Sequence, residues 1–291
     1  MIYQSGRDFL EAEHKCVLLF GMSGLGKTWV SGMLRARTAA QGGWFHYSVD
    51  YRIGTHYMGE YIADNFKREA MKIPLLRELL LTDSVRIDSN ITFDNLSPLS
   101  TYLGKPGDPA KGGLPFDEYM KRQEQHRIAE IAATLESARF MQRARDIYGY
   151  SHFICDTSGS ICEVVDPFDP QDPVLRQLSE NLLLVWIEGN DAHTEELIRR
   201  FDRAPKPMYY QPEFLRAAWD DYHRTHDATE ETCDPDHFVR WAYARALAHR
   251  RPRYQAMAGW GIKVTAEEIA SVRNPEDFEQ MVARAIDRTD I

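Results

Sequence analysis

The sequence predicts an α/β fold: a three-layer sandwich in which helices cover both faces of a mostly parallel five-stranded sheet. Three observations carry this expectation. Short apolar runs alternate with helical patterns along the chain. The first run, Cys16-Val-Leu-Leu-Phe20, passes straight into a glycine-rich segment that opens a helix. A later run, Leu182-Leu-Leu-Val-Trp-Ile-Glu188, is apolar nearly throughout, as a strand buried on both faces is. With 291 residues, 43% of them hydrophobic and 27% charged, the chain can bury such a core and has an ordinary globular composition.

The elements follow in order. After the first strand, a helix is expected from Lys27 to about Arg37. The second strand is expected over 44–50, the third over 151–156, the fourth over 182–188 and a weaker fifth over 261–265. Asn274-Pro275 reads as the cap of a last helix reaching about Asp287. Residues 51–150 are far more than one crossover needs. Within them, helices are expected over 58–72 and 74–81, a loop rich in Gly, Pro, Ser and Asn over 89–115, and a long charged helix over 116–148. A second expansion, about 191–253, reads as helical and arginine-rich. The expected organisation is a core of 1–54 and 151–291, with a helical lid region at about 191–253 and a helical insertion at 55–150.

Charge and composition narrow the partners. A formal net charge of −9 and a sequence pI near 5.6 lack the basic footprint of a duplex-binding protein, so nucleic acid is disfavoured as a partner. No apolar run approaches the ~18 residues that cross a bilayer, and residues 1–15 lack the apolar stretch of a secretory signal. Cys16, Cys155, Cys162 and Cys233 show no C-x-x-C spacing, which argues against a zinc site or a disulfide framework. A cytoplasmic protein without a membrane partner is expected.

The glycine-rich segment carries the chemistry. Gly21-Met22-Ser23-Gly24-Leu25-Gly26-Lys27-Thr28 satisfies G-x-x-x-x-G-K-[ST] between a strand and a helix. Glycines let the backbone close around phosphates, and the N–H groups and helix N-terminus then face the anion. Lys27 is expected to reach the β- and γ-phosphates, and the Thr28 hydroxyl to ligate Mg²⁺. The fold class is therefore that of a P-loop NTPase, binding a nucleoside triphosphate. No N-K-x-D segment of the guanine-reading kind is present, which favours ATP. An acid is expected at the carboxyl end of a second strand, as a metal ligand or base. Asp50 and Asp156 are the candidates, and the sequence leaves their roles interchangeable.

The order of parts resembles the nucleoside-monophosphate-kinase branch of P-loop proteins, and is similar to shikimate kinase. That family inserts its acceptor-binding element between the second and third strands and places an arginine-bearing lid after the fourth. The segment Val49-Asp50-Tyr-Arg52-Ile-Gly54 is similar to that family's stretch leading into the acceptor helix. The resemblance implies an ATP-dependent phosphotransferase for an unidentified small-molecule acceptor. It implies Asp50 and Arg52 as acceptor contacts, Arg199, Arg200 and Arg203 as lid arginines on the transferring phosphoryl group, and Arg250 or Arg251 on the acceptor. Ser48 stands where that family has the first acid of an Asp-x-Asp pair. The rival expectation is a P-loop ATPase switch whose helical insertion binds a macromolecule. The basic residues of the long helix, such as Lys121, Arg122 and Arg127, are expected to form a solvated face paired in part with its acids.

Overall fold

The computed structural model describes residues 2–289 and divides into two compact units. The first comprises Met1–Val49, Ile131–Ala204 and Tyr243–Ile291, and the second Asp50–Glu130 and Pro205–Ala242. In chain order the helices are α1 (Gly6–Glu11), α2 (Lys27–Arg35), α3 (Val49–Arg52), α4 (Gly59–Ala70), α5 (Pro74–Leu81), α6 (Ser97–Leu103), α7 (Phe116–Asp146), α8 (Ile161–Val164), α9 (Pro173–Asn181), α10 (Asp191–Arg203), α11 (Pro212–His226), α12 (Pro235–Met257), α13 (Ala266–Ser271) and α14 (Pro275–Asp287). The chain passes from one unit to the other four times, within α3, within α7, after α10 and within α12. No helix among the described residues is long and apolar enough to cross a membrane.

The first unit is built on a parallel sheet of β1 (Cys16–Phe20), β2 (Trp44–Ser48), β3 (His152–Asp156), β4 (Leu183–Glu188) and β5 (Ile262–Thr265), in the order β2-β3-β1-β4-β5. This is the five-stranded parallel α/β architecture expected from the alternating runs. Alternation along β1 sends Val17 and Leu19 into a core with Val30, Leu34, Phe278 and Val282, on the face covered by α2 and α14. On the other face Phe20 stacks on Tyr254 of α12 at 6.3 Å, and Tyr47 of β2 donates its hydroxyl to Ala133 O of α7 at 2.5 Å. The central strands β1, β3 and β4 are buried on both faces, which is why they read as continuous apolar runs, whereas Lys263 of the edge strand β5 is exposed. The connection after β1 runs toward the β2 edge and that after β4 toward the β5 edge. The carboxyl ends of these two neighbours therefore border a switch point, where ligands of open α/β sheets gather.

Two expectations change. The second strand stops at Ser48, and Asp50 lies in α3. β2 is an edge strand whose only neighbour is β3, and Ser48 already faces Asp156, the last residue of β3, so the ladder has nothing further to pair with. The region 89–115 is not structureless: it holds α6 and a 3₁₀ turn over Pro109–Lys111. Pro98 and Pro109 fall in the first turns of these helices, where a fixed φ starts a helix instead of ending one.

The second unit is helical and aromatic at its centre. Phe116 stacks on Trp219 at 4.6 Å, and the edge of Trp219 meets Phe238 at 4.9 Å. Gln123 of α7, fully buried, donates to Met208 O at 3.1 Å and accepts from Tyr210 N at 2.9 Å, pinning that connecting segment. Arg122 departs from the solvated face expected of it. It is 8% exposed and bonds Glu118, Tyr102 O and Asn65 Oδ1, joining α7 to α6 and α4.

His126 lies buried one turn beyond Arg122, its ring stacked at 5.0 Å on Tyr209. Burial lowers its pKa from 6.5 to about 4. The unfolded chain therefore takes up this proton near pH 6.5 while the folded one resists it down to about pH 4. Stability should fall as pH drops through that window, by up to ~1.4 kcal/mol per pH unit. Urea unfolding of wild type and His126→Asn between pH 7 and 4 checks this: the variant should show the shallower decline, and parallel curves would exclude it.

Candidate functional site

β1 ends its buried run at Phe20, and the next residues turn through conformations that side chains resist. φ is +141° at Gly21, +80° at Gly24 and +93° at Gly26. Neighbours close the space as well. A Cβ on Gly21 would lie 2.7 Å from Ile187 O, and one on Gly26 2.9 Å from Ile269 Cγ2. The loop leads directly into α2, whose N-terminus has no side-chain cap and no acid in its first turn. Backbone N–H groups and the positive end of the helix can cradle an anion there. The Lys27 ammonium folds back into the loop, donating to Gly21 O at 2.7 Å and Met22 O at 3.0 Å. The residue is 6% exposed.

Thr28 donates its hydroxyl to Asp156 Oδ2 at 2.8 Å. Asp156 ends β3 in register with Leu19 of β1 and is 4% exposed. Its Oδ1 is buried and has no hydrogen-bond partner among the described residues. Nε2 of His46, from β2, lies 3.8 Å from Oδ2. A carboxylate oxygen buried without a donor is costly. Paired with a hydroxyl, it is the hard-oxygen set that suits Mg²⁺. Among the described residues no three His, Cys, Asp or Glu side chains form a metal-binding group. A magnesium ion here would take Thr28 and Asp156 from the protein and its other ligands from phosphate and water. Cys155 beside it is no nucleophile: burial, then the Asp156 charge, pushes its thiol well above the usual range.

The turn after β3 closes against the loop. Thr157 donates its hydroxyl to Leu19 O at 2.9 Å. A Cβ on Gly159 would collide with Ser23 Oγ, so this glycine is what allows the two turns to touch. α12 holds the turn from behind. Gly159 O accepts from Arg250 Nη1 at 3.1 Å and from the Tyr254 hydroxyl at 2.9 Å. The other arm of Arg250 meets Glu163 Oε2 at 2.6 Å, with both side chains almost wholly buried. Arg253 grips Cys162 O and Val165 O at 2.6 and 2.7 Å.

Of the residues singled out in the sequence, the structure brings together Gly21, Met22, Ser23, Gly24, Leu25, Gly26, Lys27, Thr28 and Asp156. Asp50 and Arg52 sit on α3, with the Arg52 guanidinium 5.9 Å from the centre of the Tyr57 ring. α10 reaches the loop through Leu197, 3.2 Å from where a Cβ on Gly24 would be. Arg199 and Arg200 of that helix both pair with Glu196 and stay exposed, as does Arg203 in its last turn. Arg250 is the buried clamp on Gly159, whereas Arg251 is exposed and meets Asp191 at 2.9 Å. Gly159, Glu163 and Tyr254 were not legible as a network, because their partnership spans about 90 residues and has no spacing signature; the only hint was a Ser-Gly-Ser turn after a strand.

Comparison of the chain with protein-family models, with curated proteins and with solved structures finds no match.

The clamp is testable by stability. Arg250→Met strands the buried Glu163 carboxylate and should cost about 3–5 kcal/mol, whereas Arg250→Met with Glu163→Leu should recover most of it. Thermal melting of the three proteins decides, and an unshifted melting temperature in the single variant would exclude the clamp.

Proposed function

We propose that this chain is an ATP-dependent phosphotransferase that holds the triphosphate on Gly21–Thr28. The observation that carries the reading is the Thr28 hydroxyl bonded to the buried Asp156 carboxylate, one residue from a lysine folded into a glycine loop. A chance glycine turn requires neither contact. A cavity of about 310 Å³ beside Met22 and Leu25, lined also by Trp186, Thr194 and Arg251, favours a nucleotide over a bare anion.

On this reading the loop N–H groups and α2 bind the β-phosphate region. Lys27 exchanges its two carbonyl partners for phosphate oxygens and neutralises charge as the γ-phosphoryl group leaves. Thr28 and Asp156 supply the protein's share of a Mg²⁺ shell, and the ion, when bound, offsets phosphate charge and draws electrons toward the leaving oxygen. The bond from the γ-phosphorus to the β–γ bridging oxygen breaks, a bond to the acceptor hydroxyl oxygen forms, and the hydroxyl proton passes to a carboxylate. Asp50 is assigned that role by sequence order alone, with Arg52 as an acceptor contact. Arg199, Arg200 and Arg203 would have to leave Glu196 and solvent to reach phosphate. The kinase-branch resemblance and a cytoplasmic setting belong to the same reading.

One observation favours a second reading, a P-loop ATPase that binds a macromolecule. α5 reads Pro-Leu-Leu-Arg-Glu-Leu-Leu-Leu, yet none of its residues is buried, and Leu75 and Leu81 are 66% and 70% exposed.

The deciding measurement is ADP release with Mg²⁺, alone and with a panel of hydroxylated metabolites. The phosphotransferase reading expects acceptor-dependent turnover with a phosphorylated product, reduced about 10²-fold or more by Lys27→Ala and by Asp156→Asn. Asp50→Asn should suppress transfer while leaving nucleotide binding intact. Turnover indifferent to every acceptor and to Asp50→Asn, but lost with Lys27→Ala, would transfer support to the ATPase. Absence of nucleotide binding would overturn both.

A further inference from the structure

A second built site lies wholly within the other unit. A groove of about 660 Å³ is lined by Lys105, Lys111 and Lys206, by Ser97, Ser100 and Thr101, and by Asp94, Asp236 and Phe93. Three lysines stand here with Asp94, Asp108 and Asp236, so the groove is close to neutral in a chain whose net charge is −9. Lys206 is exposed and pairs with no carboxylate among the described residues, and Lys111 has only Asp108, at 3.8 Å. Lys105 is tethered to Asp236 at 2.5 Å.

The backbone that carries Lys105 and Lys111 is tied by its own hydrogen bonds. Residues 104–114 close on themselves through Leu114 N to Lys105 O at 2.8 Å, Gly107 N to Leu114 O at 3.0 Å and Gly113 N to Asp108 O at 2.9 Å. Gly104 and Gly112 have φ of +69° and +80°. A Cβ on Gly107 would lie 2.7 Å from Cys233 O. Pro205, Pro207 and Pro235 stiffen the opposite wall.

We propose that this groove binds a small hydroxylated molecule through a phosphoryl group it carries. Lys111 and Lys206 meet the phosphoryl oxygens, with Ser100 and Thr101 as neutral donors. Asp94 and Asp236 accept hydrogen bonds from hydroxyls, and the Phe93 ring offers an apolar face to the carbon skeleton. Exposed Lys111 and Lys206 together with the Asp94 and Asp236 carboxylates fit a ligand that is anionic at one end and hydroxylated at the other. The site does not depend on the reading of the glycine loop.

Ribose 5-phosphate is a suitable probe, titrated by calorimetry and by amide shifts in the full-length Lys27→Ala protein, where the glycine loop is disabled. The expectation is one saturable site that shifts Ser100, Gly104 and Gly112, with affinity falling tenfold or more in Lys111→Ala/Lys206→Ala. Lys111→Arg/Lys206→Arg should retain binding, and Lys72→Ala, a surface control, should change nothing. Ribose alone should not bind, and inorganic phosphate should bind more weakly. The proposal is overturned if ribose 5-phosphate does not saturate, if the double alanine variant binds equally well with its melting temperature preserved, or if phosphate alone binds as tightly. Binding of an RNA oligonucleotide but not of ribose 5-phosphate would overturn it in favour of nucleic acid. None of these outcomes bears on ADP release by the wild-type chain, so the two proposals fail separately.

Discussion

A loop that only glycine can make, set at the end of a strand buried on both faces, is the constraint on which the first unit depends. Gly21, Gly24 and Gly26 adopt positive φ, and the backbone at Ile187 and the side chain of Ile269 press against the first and last of them. Packing against these two neighbours therefore helps to fix the loop's shape. Its carbonyls converge where the Lys27 ammonium can reach them, and α2 starts at a fixed angle that delivers the Thr28 hydroxyl to Asp156. Bulk at Gly21 or Gly26 would move all three groups together.

How much of this was written in the sequence depended on the range of the interaction. The strands and α2 were legible because apolar periodicity is local and burial on both faces makes it strong. The glycine loop was legible because the φ > 0 positions and the cation fall within eight adjacent residues. Asp156 was visible only as one of two candidates. What separates it from Asp50 is strand pairing: Asp156 ends β3 beside β1, whereas β2 runs out of partner at Ser48 and Asp50 lies in the helix that follows. Pairing order is a tertiary fact that spacing does not encode.

The arginines show the same limit in reverse. Arginine-rich composition at 191–253 drew attention to side chains that could meet phosphate, but composition is blind to competition from nearby acids. Glu196 takes Arg199 and Arg200 at helical spacing, and Asp191 takes Arg251. Arg250 goes inward to Glu163 because the Gly159 carbonyl and that carboxylate together satisfy a fork of donors that a buried lysine would not. In the second unit, Arg122 is drawn inward for the same reason, meeting a carboxylate, a carbonyl and an amide oxygen at once.

The contact between Ser23 and Gly159 carries a consequence for how such a chain can vary. The two positions share one small volume, although more than a hundred residues of chain lie between them. A methyl group gained at 159 meets the Ser23 hydroxyl, which has to turn away or be removed to admit it. A smaller residue at 23 leaves Gly159 undisturbed, whereas bulk at 159 depends on what stands at 23, so the dependence between the two positions runs one way.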